Sequence, residues 1–190
     1  MKFKLLYVAP FVLLAQGAMA QDYPAAMQSY LDSTIRTWAE DPALVQAIMA
    51  ANAERGAYDQ ATIDAMDAAW RAEVGAADAP TITPIMANAA ADFLRVQVDG
   101  SGGKIAEAFV TDAKGLNVAV SAPTSDMWQG DEDKFTKVFP AGAMGTLLGE
   151  VELDESTQTY SGQVSIAIVD PATNTVIGTL TVGLNADALM

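Results

Sequence analysis

Residues Glu107–Phe139 read EAFVTDAKGLNVAVSAPTSDMWQGDEDKFTKVF, and this segment carries the richest local structural information in the chain. Asp112 and Gly115 predict the turn of a β-hairpin, because an Asp side chain accepts backbone hydrogen bonds and Gly adopts the positive φ that such a turn needs. After the turn, apolar residues alternate with small or polar ones from Leu116 to Ser121, which is the two-residue period of a half-buried strand. The register of this hairpin is therefore determined locally.

The loop that follows Pro123 carries more hydrogen-bonding side chains than a connection needs. A polar loop at the rim of a sheet is where small ligands are commonly held. We therefore predict that a ligand binds against this loop, together with one aspartate at the end of a later strand. The predicted ligand-binding residues are Ser121, Thr124, Ser125, Asp126, Trp128, Asp131, Lys134 and Asp170.

Several of these residues have two interpretations. Trp128 is either an apolar plug over one end of the core or a pocket wall whose indole N–H meets a ligand oxygen. Lys134 is either the i,i+3 partner of Asp131 or the counter-charge for a ligand carboxylate. Asp170 is either a turn cap or the acceptor of a ligand amine. The run Asp131–Asp133 is either a solvated helix start or a set of Ca²⁺ ligands, and it lacks the spaced D-x-D-x-D-G pattern.

The rest of the chain predicts helices first and strands afterwards. Apolar residues at three- and four-residue spacings predict a helix over Asp22–Ala53, interrupted near Pro42, and a second helix over Asp59–Val74. A third helix is predicted to start at Thr83-Pro84. The first apolar stripe either packs on a sheet or forms the seam of a homodimer.

Alternation then predicts strands at Leu147–Leu153, Gln163–Val169 and Val176–Leu184, with a Pro- and Asn-containing turn between the last two. Helices that precede an antiparallel sheet indicate the α+β class rather than a βαβ alternation.

The segment FVTDAKGLNVAVSAPTSDMWQGDEDKF resembles the sensory Cache domains, also called PDC sensor domains, of bacterial periplasmic proteins. The similar features are a strand ending in Asp-x-x-Gly, a strand ending in Ser, and a Thr-Ser-Asp-x-Trp-Gln-Gly-Asp-Glu loop leading into a short helix. Near the C-terminus, Val164–Asp170 and Val176–Gly183 resemble the closing hairpin of the family. The resemblance extends from Pro84 to Leu189.

This resemblance implies N-terminal helices packed on a PAS-like antiparallel sheet of about five strands. It also implies a ligand pocket between the sheet and the loop-helix region Thr124–Lys134. Residues 21–83 would form a helical region and residues 84–190 the PAS-like domain, together one globular unit. The amino-acid-binding members carry an Arg-x-Trp-Tyr run, whereas this chain has Met127-Trp128-Gln129, so no ligand identity is transferred.

The first 20 residues are typical of a secretory signal peptide. Lys2 and Lys4 precede an apolar run from Leu5 to Ala15, which is shorter than the ~20 residues needed to span a bilayer. Ala18-Met19-Ala20 forms a small-x-small cleavage site. We therefore expect a periplasmic protein whose mature chain begins at Gln21.

Composition excludes several function classes. Removing residues 1–20 leaves 8 basic against 24 acidic residues, a net charge of −16, so nucleic acid is a poor partner. The chain contains neither His nor Cys, which excludes disulfides, zinc sites of the usual composition, Cys nucleophiles and Ser-His-Asp triads. We expect no enzyme activity and no cofactor, with a carboxylate pair as the one remaining catalytic arrangement.

The predicted function is binding of a small polar organic molecule, with a carboxylate favoured by Lys134. We expect no output module within the chain, so a sensor of this kind would act through a membrane receptor or kinase. The alternative is an interaction module with an unused pocket, which docks on a membrane receptor or on a second copy. The two differ in whether polar groups converge on an open space beneath Trp128.

Overall fold

The computed structural model describes residues 22–154 and 158–190, so the predicted signal peptide lies outside the described residues. Most of the helices begin after residues whose side chains can cap a helix N-terminus. Asp41 caps the helix that starts at Pro42 by accepting a hydrogen bond from the Ala43 N–H at 2.8 Å. The predicted interruption near Pro42 is confirmed. The helices are α1 (Tyr23–Ser33), α2 (Pro42–Arg55), α3 (Gln60–Glu73), α4 (Ile82–Met86), α5 (Ala89–Gly100) and α6 (Asp133–Thr136), with 3₁₀ segments at Ile35–Glu40, Phe139–Met144 and Asp187–Leu189.

The third predicted helix is divided into α4 and α5. Asn88 lies between them with extended backbone, and its side-chain oxygen accepts a hydrogen bond from the Ala91 N–H at 2.9 Å. This N-cap starts α5 afresh, which a continuous apolar stripe did not reveal. No helix in the described parts of the chain combines the length and the hydropathy that a bilayer crossing requires.

Six strands form one antiparallel sheet in the order β2-β1-β6-β5-β3, and β4 also pairs with β5. The predicted strand Leu147–Leu153 is divided at Gly149, because Glu152 lies four positions after Leu148 whereas their partners Ser161 and Val164 are only three positions apart. The extra residue interrupts the edge. The strands are β1 (Ile105–Thr111), β2 (Asn117–Val120), β3 (Thr146–Leu148), β4 (Glu152–Asp154), β5 (Thr159–Asp170) and β6 (Thr175–Asn185).

One face of the sheet is apolar and is covered by the N-terminal helices. Val110, Leu180 and Ile166 lie opposite one another on β1, β6 and β5, so their side chains share this face. They belong to the main buried cluster, to which α1, α2 and α5 contribute large side chains such as Leu31, Ile48 and Leu94. The fold is thus α+β, with helices on an antiparallel sheet, as the sequence predicted.

The opposite face of the same three strands carries mostly polar residues, although its centre is buried. Phe109, Thr181 and Ser165 form its central row, and the row on each side carries further polar residues. Ser165 and Thr181 are nonetheless only 1% exposed. We call this surface the polar face and define it by Glu107, Thr111, Gln163, Ser165, Thr179 and Thr181.

The predicted β1–β2 hairpin is confirmed, including its turn. The Asp112 carboxylate accepts hydrogen bonds from the backbone N–H groups of Lys114 at 2.9 Å and Leu116 at 3.1 Å. Gly115 has φ +80°, and a Cβ there would lie 2.5 Å from the Cα of Gly130. Only glycine therefore lets the loop approach the hairpin this closely.

Candidate functional site

The hydroxyls of the polar face are hydrogen-bonded in pairs across the strands. Ser165 Oγ lies 2.9 Å from Thr181 Oγ1, and Thr111 Oγ1 lies 2.7 Å from Thr179 Oγ1. Because each hydroxyl both donates and accepts, each pair retains capacity for a further partner. A buried layer of this kind is a hydrogen-bonding surface rather than an ordinary core.

A glycine on β6 lets the longest side chains of the polar face meet. Gln163 Nε2 donates to Glu107 Oε1 at 2.9 Å, across the position of Gly183 on the strand between them. A Cβ on Gly183 would lie 2.7 Å from Glu107 Cγ. The Glu107 side chain can lie over β6 because Gly183 has no side chain in its way.

Lys134 on α6 reaches over this face. Its Nζ lies 5.4 Å from the centroid of the Phe109 ring, 3.1 Å from Gln129 Oε1 and 3.0 Å from Glu132 Oε2. The side chain is 15% exposed. The carboxylate partner of Lys134 is thus Glu132 rather than Asp131. The backbone of Glu132 is extended and α6 starts only after it, so Asp131 and Lys134 do not lie on one helix with the i,i+3 spacing.

Two cavities open beside the polar face. One has a volume of about 390 Å³ and is bordered by Lys134, Lys137, Glu132 and Ser165. The other has about 780 Å³ and is bordered by Glu107, Glu152 and Ser161 together with several glycines. Both include Gly149, Glu150 and Gln163, so they are neighbouring parts of one depression. We call it the groove; one end is lysine-containing and the other is acidic.

The predicted ligand loop is held against the hairpin by buried hydrogen bonds. Asn117 Nδ2 donates to Thr124 Oγ1 at 2.8 Å and to the Asp126 carbonyl at 3.0 Å. Gln129, which is 1% exposed, donates from Nε2 to the Asp126 carboxylate. Asn117 Oδ1 is buried and has no hydrogen-bond partner among the described residues. Thr124 and Asp126 therefore shape the loop from within.

Trp128 also fixes the loop. Its Nε1 donates to the Lys114 carbonyl at 2.9 Å, and a Cβ on Gly130 would lie 2.2 Å from that nitrogen. The ring packs against a second buried cluster that includes Phe109 and Trp70. The ring thus covers part of this cluster, and its indole N–H is engaged by the backbone.

The remaining predicted ligand residues lie apart from the groove. Ser121 Oγ accepts a hydrogen bond from the Ala108 N–H at 2.9 Å within the hairpin. Ser125 and Asp131 are exposed at the surface. The Asp170 carboxylate accepts from the Ala172 N–H at 2.9 Å and the Thr173 hydroxyl at 2.8 Å, which is a turn cap at the end of β5. The structure thus brings only Lys134 of the predicted set to the groove lining.

The sequence interpretation missed the polar face itself. Its signal was present in the alternation of β5 and β6, where Gln163, Ser165, Thr179 and Thr181 occupy every second position between apolar residues. Alternation shows that two faces differ, but it does not show that the polar one becomes buried.

The acidic run at the start of α6 is paired with lysines. Glu132 contacts Lys134, and Asp133 Oδ2 lies 2.6 Å from Lys137 Nζ. Within residues 22–154 and 158–190, no group of three or more His, Cys, Asp or Glu side chains is placed to hold a metal ion.

Comparison with known proteins gave matches among solved structures alone. No protein-family model matches the chain. No curated protein matches it. The sensor domain of the histidine kinase DctB from V. cholerae aligns over 88% of this chain and 53% of its own, at 14% identity and a TM-score of 0.45.

Two further structures align over the same share of this chain. The E. coli DcuS sensor domain is covered over 93% of its length, at 12% identity and a TM-score of 0.48. The ligand-binding domain of the Campylobacter jejuni chemoreceptor Tlp3, in complex with 4-methylisoleucine, is covered over 61%, at 12% identity and a TM-score of 0.42. This chain therefore spans about half of the DctB domain and less than two thirds of the Tlp3 domain. All three structures are named as sensor or ligand-binding domains.

Proposed function

We propose that this protein is a periplasmic, sensor-like small-molecule-binding domain and that the groove holds its ligand. The observation that carries the proposal is the buried polar face, whose Ser165 and Gln163 border the groove beside the largely buried Lys134. Burying polar groups costs free energy, and a concave site with a few converging polar groups is the usual form of a ligand pocket.

The charges along the groove favour a particular ligand. Lys134 and Lys137 lie at one end beside their ion-pair partners Glu132 and Asp133, and no other Lys or Arg borders the described groove, so a ligand carboxylate is best placed there. Glu107 and Glu152 border the other end, with Glu150 between the two ends, and they favour a hydrogen-bond donor or a cationic group. The proposed ligand is a small polar organic molecule with a carboxylate against Lys134 and donors toward the glutamates.

The predicted loop residues take a supporting role in this proposal. Thr124, Asp126 and Trp128 hold the loop against the hairpin, which positions Gln129 and hence Lys134. Their ligand-binding role becomes indirect, through the position of the lysine.

A metabolite screen by thermal unfolding tests the proposal. A ligand present at 100 times its dissociation constant adds about 2.7 kcal/mol to the free energy of unfolding, so a binder raises the melting temperature measurably. Lys134→Ala and Gln163→Ala should each lose this shift while the unliganded proteins remain folded. Lys104→Ala is the matched control, because Lys104 lies over the Tyr30 ring and does not border the groove.

The same screen distinguishes the alternative function. If no small molecule stabilises the protein, or if both groove variants respond as the wild type does, the groove is not the ligand site. The interaction-module interpretation would then be tested by capture of a membrane receptor or kinase and by the oligomeric state in solution.

Export is a separate part of the proposal. The basic start, the apolar run and Ala18-Met19-Ala20 predict cleavage before Gln21. The intact mass of the protein recovered from the periplasmic fraction should correspond to a chain that begins at Gln21. A species that retains Met1 in the membrane fraction would contradict this.

A further inference from the structure

A second cleft lies among the helices and shares no lining residue with the groove. Its volume is about 740 Å³, within the 300–1,000 Å³ typical of small-molecule pockets. It opens between the end of α3, the whole of α4 and the start of α5. The walls are mostly apolar and are formed by Ala76, Ala79, Ile82, Met86, Ala87 and Pro123.

The local sequence explains why this cleft is open. Residues 75–80 read GAADAP, so no large side chain is present to fill the space after α3. Glu73, at the end of α3, fixes the position of the start of α4. Its carboxylate accepts hydrogen bonds from the Thr81 N–H and hydroxyl, each at 2.7 Å, and from the Ile82 N–H at 3.1 Å. The walls of the cleft are therefore fixed by hydrogen bonds and not by a filling side chain.

Arg95 supplies the polar group of the cleft. One guanidinium nitrogen donates to the Met86 carbonyl at 2.7 Å, and another pairs with the Asp92 carboxylate. The side chain is 35% exposed. Because a guanidinium has five N–H donors, it can donate to a further oxygen atom while keeping both contacts. Asp92 balances its charge, and Glu73 is engaged by three donors, so the cleft favours an uncharged ligand.

We propose that this cleft is a binding site for a small, uncharged apolar molecule with one hydrogen-bond acceptor. The apolar body lies on Ile82 and Met86, and the acceptor oxygen meets the Arg95 guanidinium. This site differs from the groove in chemistry and in position, so its test is independent of the proposed function.

The test uses 2-octanone as the probe and the methionine methyl groups, labelled with ¹³C, as reporters. Met86 borders the cleft, whereas Met144 is 81% exposed on the 3₁₀ segment that follows α6 and reports non-specific binding. Saturable movement of the Met86 signal with an unchanged Met144 signal is the expected result. Octanoate should bind less tightly, because its charge meets the Asp92 and Glu73 carboxylates.

Two exposed alanines provide a matched pair of variants. Ala76 borders the cleft and its neighbour Ala77 does not, and both are exposed, so a tryptophan at either position leaves the core unchanged. Ala76→Trp should weaken 2-octanone binding by about tenfold or more, and Ala77→Trp should leave it unchanged. Arg95→Met, which removes the donors and keeps an unbranched side chain, should weaken binding by about tenfold.

Three results would overturn the proposal. They are a Met86 signal that does not saturate, a Met144 signal that moves in parallel, and equal binding by the two tryptophan variants. Tighter binding of octanoate than of 2-octanone would overturn the assignment of an uncharged ligand.

Discussion

Arg55 and Asp112 connect α2 to the hairpin turn through a buried ion pair. Arg55 Nη1 lies 3.1 Å from Asp112 Oδ2 and 3.0 Å from the Asn117 carbonyl oxygen. The two side chains are 9% and 1% exposed. A buried charge is tolerated when its partner is present, and it becomes costly when the partner is removed.

We expect Asp112→Ala to lower the free energy of unfolding by about 3–5 kcal/mol, because it leaves Arg55 buried without a counter-charge and frees two turn N–H groups. Urea denaturation measures the loss. The control is Asp32→Ala, which removes an exposed pair with Arg36 and should cost far less. Equal losses for both variants would contradict the role of the buried pair.

Single residues also decide how the groove is formed. Gly183 has no side chain, and this lets Glu107 reach Gln163 across the sheet. Gly149 lies where the edge strand is interrupted, and it borders both cavities. These glycines were visible in the sequence, but their effect depends on neighbours that lie far along the chain.

At the scale of elements, α3 supports the loop that follows Pro123. Asp67 Oδ1 accepts hydrogen bonds from the backbone N–H groups of Met127 at 3.0 Å and Trp128 at 3.1 Å, and Oδ2 lies 2.7 Å from Arg71. Trp70, three positions after Asp67 on α3, donates from Nε1 to the Thr124 carbonyl at 2.8 Å. The loop is thus attached to α3 at Thr124 and at Met127–Trp128.

We expect Asp67→Ala to increase amide hydrogen exchange at Met127 and Trp128, because their N–H groups lose their acceptor. Asp67→Asn keeps an acceptor oxygen and loses only the charge, so its exchange should remain close to that of the wild type. Mass spectrometry of short peptides resolves the difference. Similar exchange in both variants would show that the carboxylate oxygen does not hold the loop.

Glu73 braces α4, and its titration gives a pH dependence. Burial raises the pKa of Glu73, but the hydrogen bonds from Thr81 and Ile82 lower it by more than burial raises it. The pKa in the folded protein therefore lies below the ordinary value of 4.5. A group with a lowered folded pKa stabilises the protein above its unfolded pKa and loses that effect as the pH falls through the folded value.

We therefore expect the wild type to lose more stability than Glu73→Gln as the pH falls from above 4.5 to below the folded pKa. Urea denaturation at the two ends of this window measures the difference. Glutamine keeps an acceptor oxygen and does not titrate, which makes it the matched variant. A Glu73→Gln protein with the same pH slope as the wild type would exclude this contribution.

At the scale of the whole molecule, acidic residues outnumber basic ones by 24 to 10. Several of the described basic residues are already paired, including Arg55, Arg71 and Lys137. The unpaired acidic charge therefore repels itself across the folded surface.

We expect the melting temperature at pH 7 to rise as NaCl increases from about 0.05 M to about 0.5 M, because the screening length falls well below the ~10 Å found at 0.1 M. Calorimetry measures the shift. The rise should disappear near the isoelectric point, where net repulsion is absent. A falling melting temperature at pH 7 would mean that favourable ion pairs outweigh the repulsion.

The sequence predicted the α+β class, the β1–β2 hairpin, the closing hairpin and the helix start at Pro42, all of which the structure confirms. These features depend on residues within a few positions of one another. Asp112 and Gly115 form their turn with local backbone groups, and Asp41 caps its own helix. Local chemistry is sufficient for such features, because no distant partner is needed to satisfy them.

The groove depended on which strands became neighbours. Glu107 and Gln163 are 56 positions apart, and Thr111 and Thr179 are 68 apart, yet each pair is hydrogen-bonded. Trp128 likewise donates to the Lys114 carbonyl, 14 positions away, and Lys134 lies over the Phe109 ring of β1. The composition of the chain and the spacing of its residues do not predict these contacts. Register across the sheet sets them, and register exists only when the strands have paired.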